Sequence, residues 1–142
     1  MGKRQKGTRV VLDTNVLVSA LILGGRIAAI VDLWKSGIVI PVFSRDTFDE
    51  FRRVLSYPRF KLTGEEIQTI IEKDILPHFE TVEPKKELRG LCRDPEDDLF
   101  FSCALAGGCE FLVSGDRHIL EIKRHGSVRV ITPKQLLERF SP

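Results

Sequence analysis

Cysteine is scarce in this chain of 142 residues, and its spacing suits neither disulfides nor zinc. Cys92, Cys103 and Cys109 are an odd-numbered set with no CxxC pair, which leaves them as small apolar residues of a reduced, cytoplasmic protein. Histidine is equally sparse. His78, His118 and His125 have no ligand spacing and no strand-end nucleophile beside them, which disfavours zinc and the Ser–His–Asp class of hydrolase. Long apolar runs are missing too: the stretch from Val10 to Leu23 comes nearest, but Asp13 and Asn15 interrupt it, so it matches neither a signal-peptide core nor the ~18 uninterrupted apolar residues of a membrane span. No GxGxxG and no Walker lysine accompany the pairs Gly24-Gly25 and Gly107-Gly108, which read as turns. Nor does one sign of charge dominate. The net charge is +2, and without Lys3, Arg4 and Lys6 the remainder carries −1.

What is present is an ordinary globular composition, 42% hydrophobic and 30% charged. The length suits one domain burying about two-thirds of its unfolded surface. Residues 1–8 read as a basic tail and 9–142 as a single domain. Short β-branched runs at Arg9–Leu12, Ile38–Val42, Phe79–Val82, Phe111–Ser114 and Val128–Ile131 alternate with helical patterns. That is the layout of a parallel sheet of about five strands with helices on both faces. Helices are expected over Val16–Leu23 and Ile27–Ser36, broken by Gly24-Gly25. Further helices follow Ser44, the capping box Thr63/Glu66, Asp94-Pro95 and Thr132-Pro133.

In open α/β sheets the ligand site lies at the carboxyl ends of the strands, and two of the five strands run into aspartate: Asp13 after the first and Asp116 after the fourth. Either could instead simply cap the next helix. Asp97 is the third acid of interest. At ~100° per residue, Phe100, Phe101 and Ala104 all lie within about 60° of it, so it falls in the core-facing stripe while Asp98 points to the side. A capping box with Asp94 is the local alternative. Glu50 lies at the margin of the apolar face of its helix, where solvation is the common fate of a glutamate. Gathered in one pocket, Asp13, Glu50, Asp97 and Asp116 repel one another unless divalent cations occupy it, and hard oxygen donors select Mg²⁺ or Mn²⁺, the ions of phosphodiester chemistry. Asn15 stands where an aspartyl phosphatase of the DxD type needs a second acid, which disfavours a phospho-aspartate mechanism. Arg45, Arg52 and Arg53, with Arg59 and Lys61, make a modest basic cluster around Glu50, either a solvated face or a surface for positioning RNA phosphates.

The segments Val-Leu-Asp13-Thr14-Asn15-Val, Asp49-Glu50-Phe51, Arg93-Asp94-Pro95-Glu96-Asp97-Asp98 followed by Ala104 and Ala106, and Ser114-Gly115-Asp116 together resemble the PIN domain, in order and spacing, from about Arg9 to Phe140. Within that family the chain is most similar to the toxins of prokaryotic toxin–antitoxin pairs. The resemblance implies a Rossmann-like three-layer α/β/α sandwich, a metal-dependent endoribonuclease, and a catalytic and metal-binding quartet at Asp13, Glu50, Asp97 and Asp116. Thr14, Asn15 and Ser114 take supporting places. Matching Ala104 and Ala106 to the family's small residues puts the third acid at Asp97, with Asp98 and Asp94 as alternatives. The resemblance also implies a small antitoxin that inserts a basic residue into the acidic pocket, and a homodimer. Two other readings remain open on sequence alone: a catalytically silent metal- or RNA-binding module of the same fold, and a nuclease acting on DNA.

Overall fold

The computed structural model describes residues 7–85, 88 and 90–140. The expected basic tail lies outside them apart from Gly7 and Thr8, and Thr8 already belongs to the first strand. Six strands form one sheet: β1 (Thr8–Leu12), β2 (Val39–Phe43), β3 (Glu80–Thr81), β4 (Phe111–Val113), β5 (Arg124–His125) and β6 (Val128–Ile131), in the order β3-β2-β1-β4-β6-β5. Every pairing is parallel except β5 against β6. The five runs expected from sequence all appear, each end within one residue of its expected place. The sixth, β5, is an added correction: it is the short arm of a hairpin turning at Gly126-Ser127, with Gly126 at φ 61°. Glycine followed by serine at a two-residue hairpin loop is a recognised signal, but a two-residue arm is too short to show an alternating pattern.

The pleat sorts side chains between two cores. Val10, Leu12, Phe43, Phe111 and Val113 face one side with α1 (Thr14–Val18), α2 (Ala29–Lys35), α3 (Arg45–Leu55) and α7 (Pro133–Phe140). Val11, Val42 and Leu112 face the other with α5 (Asp98–Ala106) and α6 (Arg117–Leu120). Between them in sequence, α4 (Gly64–Ile70) runs on as a wider π turn over Ile71–Ile75. This is the three-layer α/β/α sandwich expected from the sequence. Its strand order reverses direction between β1 and β4, which are paired through Leu12↔Val113. The crevice at such a switch point is where an open α/β sheet accepts a ligand.

Two details fix the helices that border that crevice. Helix α1 ends in a π turn over Ser19–Leu23, and the chain then bends by 104° into Arg26–Lys35. Gly24 and Gly25 make the bend with φ of 77° and 79° and ψ of −153° and −162°, a region essentially closed to residues with a Cβ. Further along, Trp34 is fully buried, donates from Nε1 to the Asp74 carbonyl at 2.9 Å and meets Phe79 edge-on at 5.2 Å, tying α2 to the end of the α4 segment. Among the described residues no single helix is long and apolar enough to cross a membrane. Gly25→Ala is expected to lower stability by at least about 1 kcal/mol, whereas Gly64→Ala, at an exposed helical position with open space around it, raises it by about 0.4–1 kcal/mol. Urea midpoints of the two variants check the contrast.

Candidate active site

Backbone geometry brings two of the sequence-predicted acids to the switch point. Asp13 follows β1, its N–H donating to the Val113 carbonyl of β4 at 3.0 Å, so the residue is still held by the sheet when the chain turns into α1. The residue as a whole is 4% exposed. Oδ1 accepts from the Val16 N–H at 2.9 Å, which caps α1, and Oδ2 accepts from the Ser114 hydroxyl at 2.5 Å. Ser114, wholly buried, also accepts from the Asp116 N–H at 3.0 Å through the same oxygen. One hydroxyl therefore joins the ends of the two central strands. Asp116 caps α6 by accepting from the His118 N–H at 2.7 Å, so it is a cap and a pocket acid at once.

The third acid comes from the connection into α5, and here the helical-wheel expectation is corrected. Asp94 caps a 3₁₀ turn over Pro95–Asp97 by accepting from the Glu96 N–H at 3.0 Å, and α5 begins only at Asp98. At three residues per turn the phase differs from that of an α-helix. The residue turned inward is consequently Asp98, 3% exposed, whose Oδ1 accepts from the Cys92 N–H at 2.7 Å and secures the preceding loop. Asp97 is half-buried, makes no capping bond, and feels Asp116, Glu50 and Asp13 electrostatically. Of the three candidates in this acidic run, Asp97 is the one whose carboxylate is not committed to local structure.

Glu50 projects from α3, whose start is locked by a capping box in which Ser44 Oγ accepts from the Thr47 N–H and Thr47 Oγ1 accepts from the Ser44 N–H. Its Oε1 is buried with no hydrogen-bond partner, and the Thr14 hydroxyl is in the same condition. The Thr14 hydroxyl lies close enough to lower the Glu50 carboxyl as a weak hydrogen-bond donor, but the contact falls short of full hydrogen-bond geometry. Buried polar atoms are nearly always satisfied. Two adjacent unsatisfied oxygens beside Asp13 are what a cation, or water bound to it, would complete.

The four acids act on one another. Burial, then Asp94, Asp116, Glu50 and Asp13, pushes Asp97 up to about 7. Asp13 rises to about 6 through burial and Asp116, opposed by the hydrogen bonds from Ser114 and Val16. Glu50 is raised by burial and by Glu96, and lowered by Thr14 and Arg53. Among the described residues no three His, Cys, Asp or Glu side chains are grouped closely enough to hold a metal ion between them. An open arrangement suits Mg²⁺ or Mn²⁺, since Mg²⁺ retains several waters and takes only one or two carboxylates directly. The donors nearest the pocket are all oxygens, which agrees with such ions and not with zinc.

The family model described as PIN domain matches residues 9–118. The chain belongs to the PIN domain family. Solved structures agree on the fold: VapBC2 from Rickettsia felis, crystallised on a fragment of promoter DNA, at TM-score 0.59 and 15% identity over 88% of this chain and 98% of that one; FitAcB from Neisseria gonorrhoeae at 0.60 and 18% over 88% and 98%; and the PIN domain endonuclease Utp24 at 0.54 and 18% over 87% and 84%. No curated protein matches by sequence.

Some residues of this PIN domain were less legible. Glu96 went unweighed from sequence, yet it is the strongest charge acting on Glu50 and lies 4.0 Å from Arg53. Its place within the acidic run 94–98 was the available signal. Arg53 therefore borders the pocket, while Arg45 and Arg52 are exposed on α3. Asn15 is exposed and lines a cleft of about 310 Å³ together with Val16, Ser19, Ile27, Gly115, Asp116 and Pro133.

Raised acids make the metal-free fold pH-sensitive. The folded state retains protons that the unfolded chain releases near pH 3.8, so the stability from Asp13 and Asp97 is complete below that value and is lost as pH rises through about 6 and 7. Asp97→Asn should therefore melt close to wild type at pH 4 and a few degrees above it at pH 8. Thermal unfolding in chelator across that range checks the sign.

Proposed function

We propose that this PIN domain is a Mg²⁺- or Mn²⁺-dependent endoribonuclease that hydrolyses phosphodiester bonds of RNA. PIN domains are nucleases, which gives the reaction class. The observation that carries the rest is the pair of unsatisfied buried oxygens, Glu50 Oε1 and Thr14 Oγ1, beside an almost wholly buried Asp13. Asp13, Glu50 and Asp97 would hold the ion, one or two of them directly and the rest through its waters, with Asp116 at the rim. A bound divalent ion supplies Lewis-acid polarisation and an activated water for in-line attack.

The chain's own residues do the positioning. Ser114 fixes Asp13 by donating to Oδ2 and links it to the Asp116 backbone, so that the two strand ends cannot drift apart. Val16 holds the other oxygen of Asp13. Asp97, raised to about 7 in the metal-free protein by burial and its acidic neighbours, would give up its proton as the ion binds. Asn15, one turn residue away from Asp13 and on the wall of the cleft that includes Asp116, would orient water or substrate, and Arg53 would steady a phosphate.

By its resemblance to the toxins of this family the protein would act as a toxin in the cytoplasm, as a homodimer, and be inhibited by a small antitoxin that presents a basic residue to this acidic pocket. Purified protein with Mn²⁺ should cleave single-stranded RNA. Asp13→Asn should lower the rate more than about 100-fold, and Ser114→Ala, which removes an outer-shell partner, about 10–100-fold. Equal cleavage by wild type and Asp13→Asn contradicts the assignment. Mn²⁺ binding without turnover favours a silent regulatory module, and preferential cleavage of DNA favours the deoxyribonuclease reading.

A further inference from the structure

At the far edge of the sheet from β3, three arginines are gathered, with Glu138 the acid that shares their cavity. Arg124 on β5 and Arg129 on β6 are directly paired across the hairpin, so both side chains leave the same face of the sheet. That is the face of Phe111, which is the parallel neighbour of Arg129. Arg129 lies over the Phe111 ring at 5.9 Å, and Arg139 reaches the same ring from α7 at 4.8 Å. All three residues are exposed, and among the described residues none makes an ion pair. Arg129 and Arg139 line an open cavity of about 400 Å³ together with Ile131, Gln135 and Glu138.

Like charges directly opposite on paired strands are destabilising, and two guanidiniums sharing one aromatic ring compound the repulsion. Ring stacking orients the guanidinium planes but does not neutralise them. A planar, always-charged fork presented to solvent in this way matches phosphate oxygens, which arginine binds bidentately. Position favours an extended polyanion over a small one. Arg129 sits at the level of Phe111, three residues before Ser114, so the patch lies about 10 Å down the strands from the acids and, two strands across from β1, about 10 Å to the side.

We propose that Arg124, Arg129 and Arg139 form a docking site for the phosphodiester backbone of a single-stranded nucleic acid, remote from the acidic pocket. It rests on the nuclease reading for the identity of the polyanion: one strand held at both places would be several nucleotides long, and the arginines would set affinity while the acids set turnover. Because phosphates and not sugars or bases are contacted, the site would not distinguish sequence.

The test is fluorescence-anisotropy titration of a labelled 20-nucleotide RNA, and of single-stranded DNA of the same length, with the full chain in chelator over a series of KCl concentrations. For the variant Arg124→Gln/Arg129→Gln/Arg139→Gln, affinity should fall on the order of tenfold for both strands, and the slope of log K against log salt should lose about 2, from ~0.7 per phosphate contact. Arg124→Gln alone, which leaves both stacked arginines in place and relieves the cross-strand repulsion, should lose about 0.7 of slope and melt no lower than wild type. Hydrolysis of bis(p-nitrophenyl) phosphate with Mn²⁺, a substrate too small to span both places, should have the same kcat in the triple variant as in wild type. Unchanged RNA affinity and slope in a folded triple variant overturn the proposal even where Mn²⁺-dependent cleavage is intact, leaving an acidic protein as the occupant. Absence of cleavage by wild type, with the slope still lost in the variants, overturns the nuclease reading and leaves the docking site standing.

Discussion

A carboxylate placed out of water at the end of a central β-strand is costly unless its charge is answered, and in this molecule that carboxylate is Asp13. Two donors answer part of it: the Val16 N–H, which also begins α1, and the Ser114 hydroxyl, which also receives the Asp116 N–H. Helix start, strand junction and acidic pocket thus share one group. The remaining imbalance appears as proton affinity, with Asp13 raised to about 6 and Asp97 to about 7. On the proposed reading, a divalent cation would supply the positive charge that these groups lack. That is the physical content of the metal-dependent nuclease reading.

The topology explains why the acids meet. Because β1 and β4 are adjacent and parallel, residues just beyond their ends emerge on the same edge, and the reversal of strand order opens a crevice there. Helix α3 enters under its Ser44/Thr47 capping box and brings Glu50 in from the side of β2, while the 3₁₀ turn before α5 delivers Asp97. These are local structures with sequence signatures, so the pocket is assembled by ordinary capping chemistry on a rigid sheet.

Much of this was legible before any coordinates. β-Branched runs between helical patterns pointed to the parallel sheet, and the Asp-Pro and Thr-Pro pairs located helix starts because their preferences are local. Asp13 and Asp116 were visible because strand ends carry function in this fold class. Harder to see was anything that depends on phase or on distant pairing. The wheel put Asp97 inward and Asp98 to the side, whereas the 3₁₀ turn reverses them, and no residue between 94 and 98 announces a change of pitch. Strand β5 is two residues long, and the Arg124–Arg129 juxtaposition exists only once the hairpin is closed. Glu96, in the 3₁₀ turn before α5, acts on Glu50 of α3, a relation invisible along the chain.

The central claim is that the acid cluster exists to receive a divalent cation, and proton linkage tests it most directly. Calorimetric titration of the metal-free protein with Mn²⁺ at pH 6.5, in two buffers of different ionisation enthalpy, counts the protons released on binding. With Asp13 at about 6 and Asp97 at about 7, binding should release close to one proton per ion, and the count should fall toward zero by pH 8.5. Absence of saturable binding, or binding with no proton release at pH 6.5, contradicts the account.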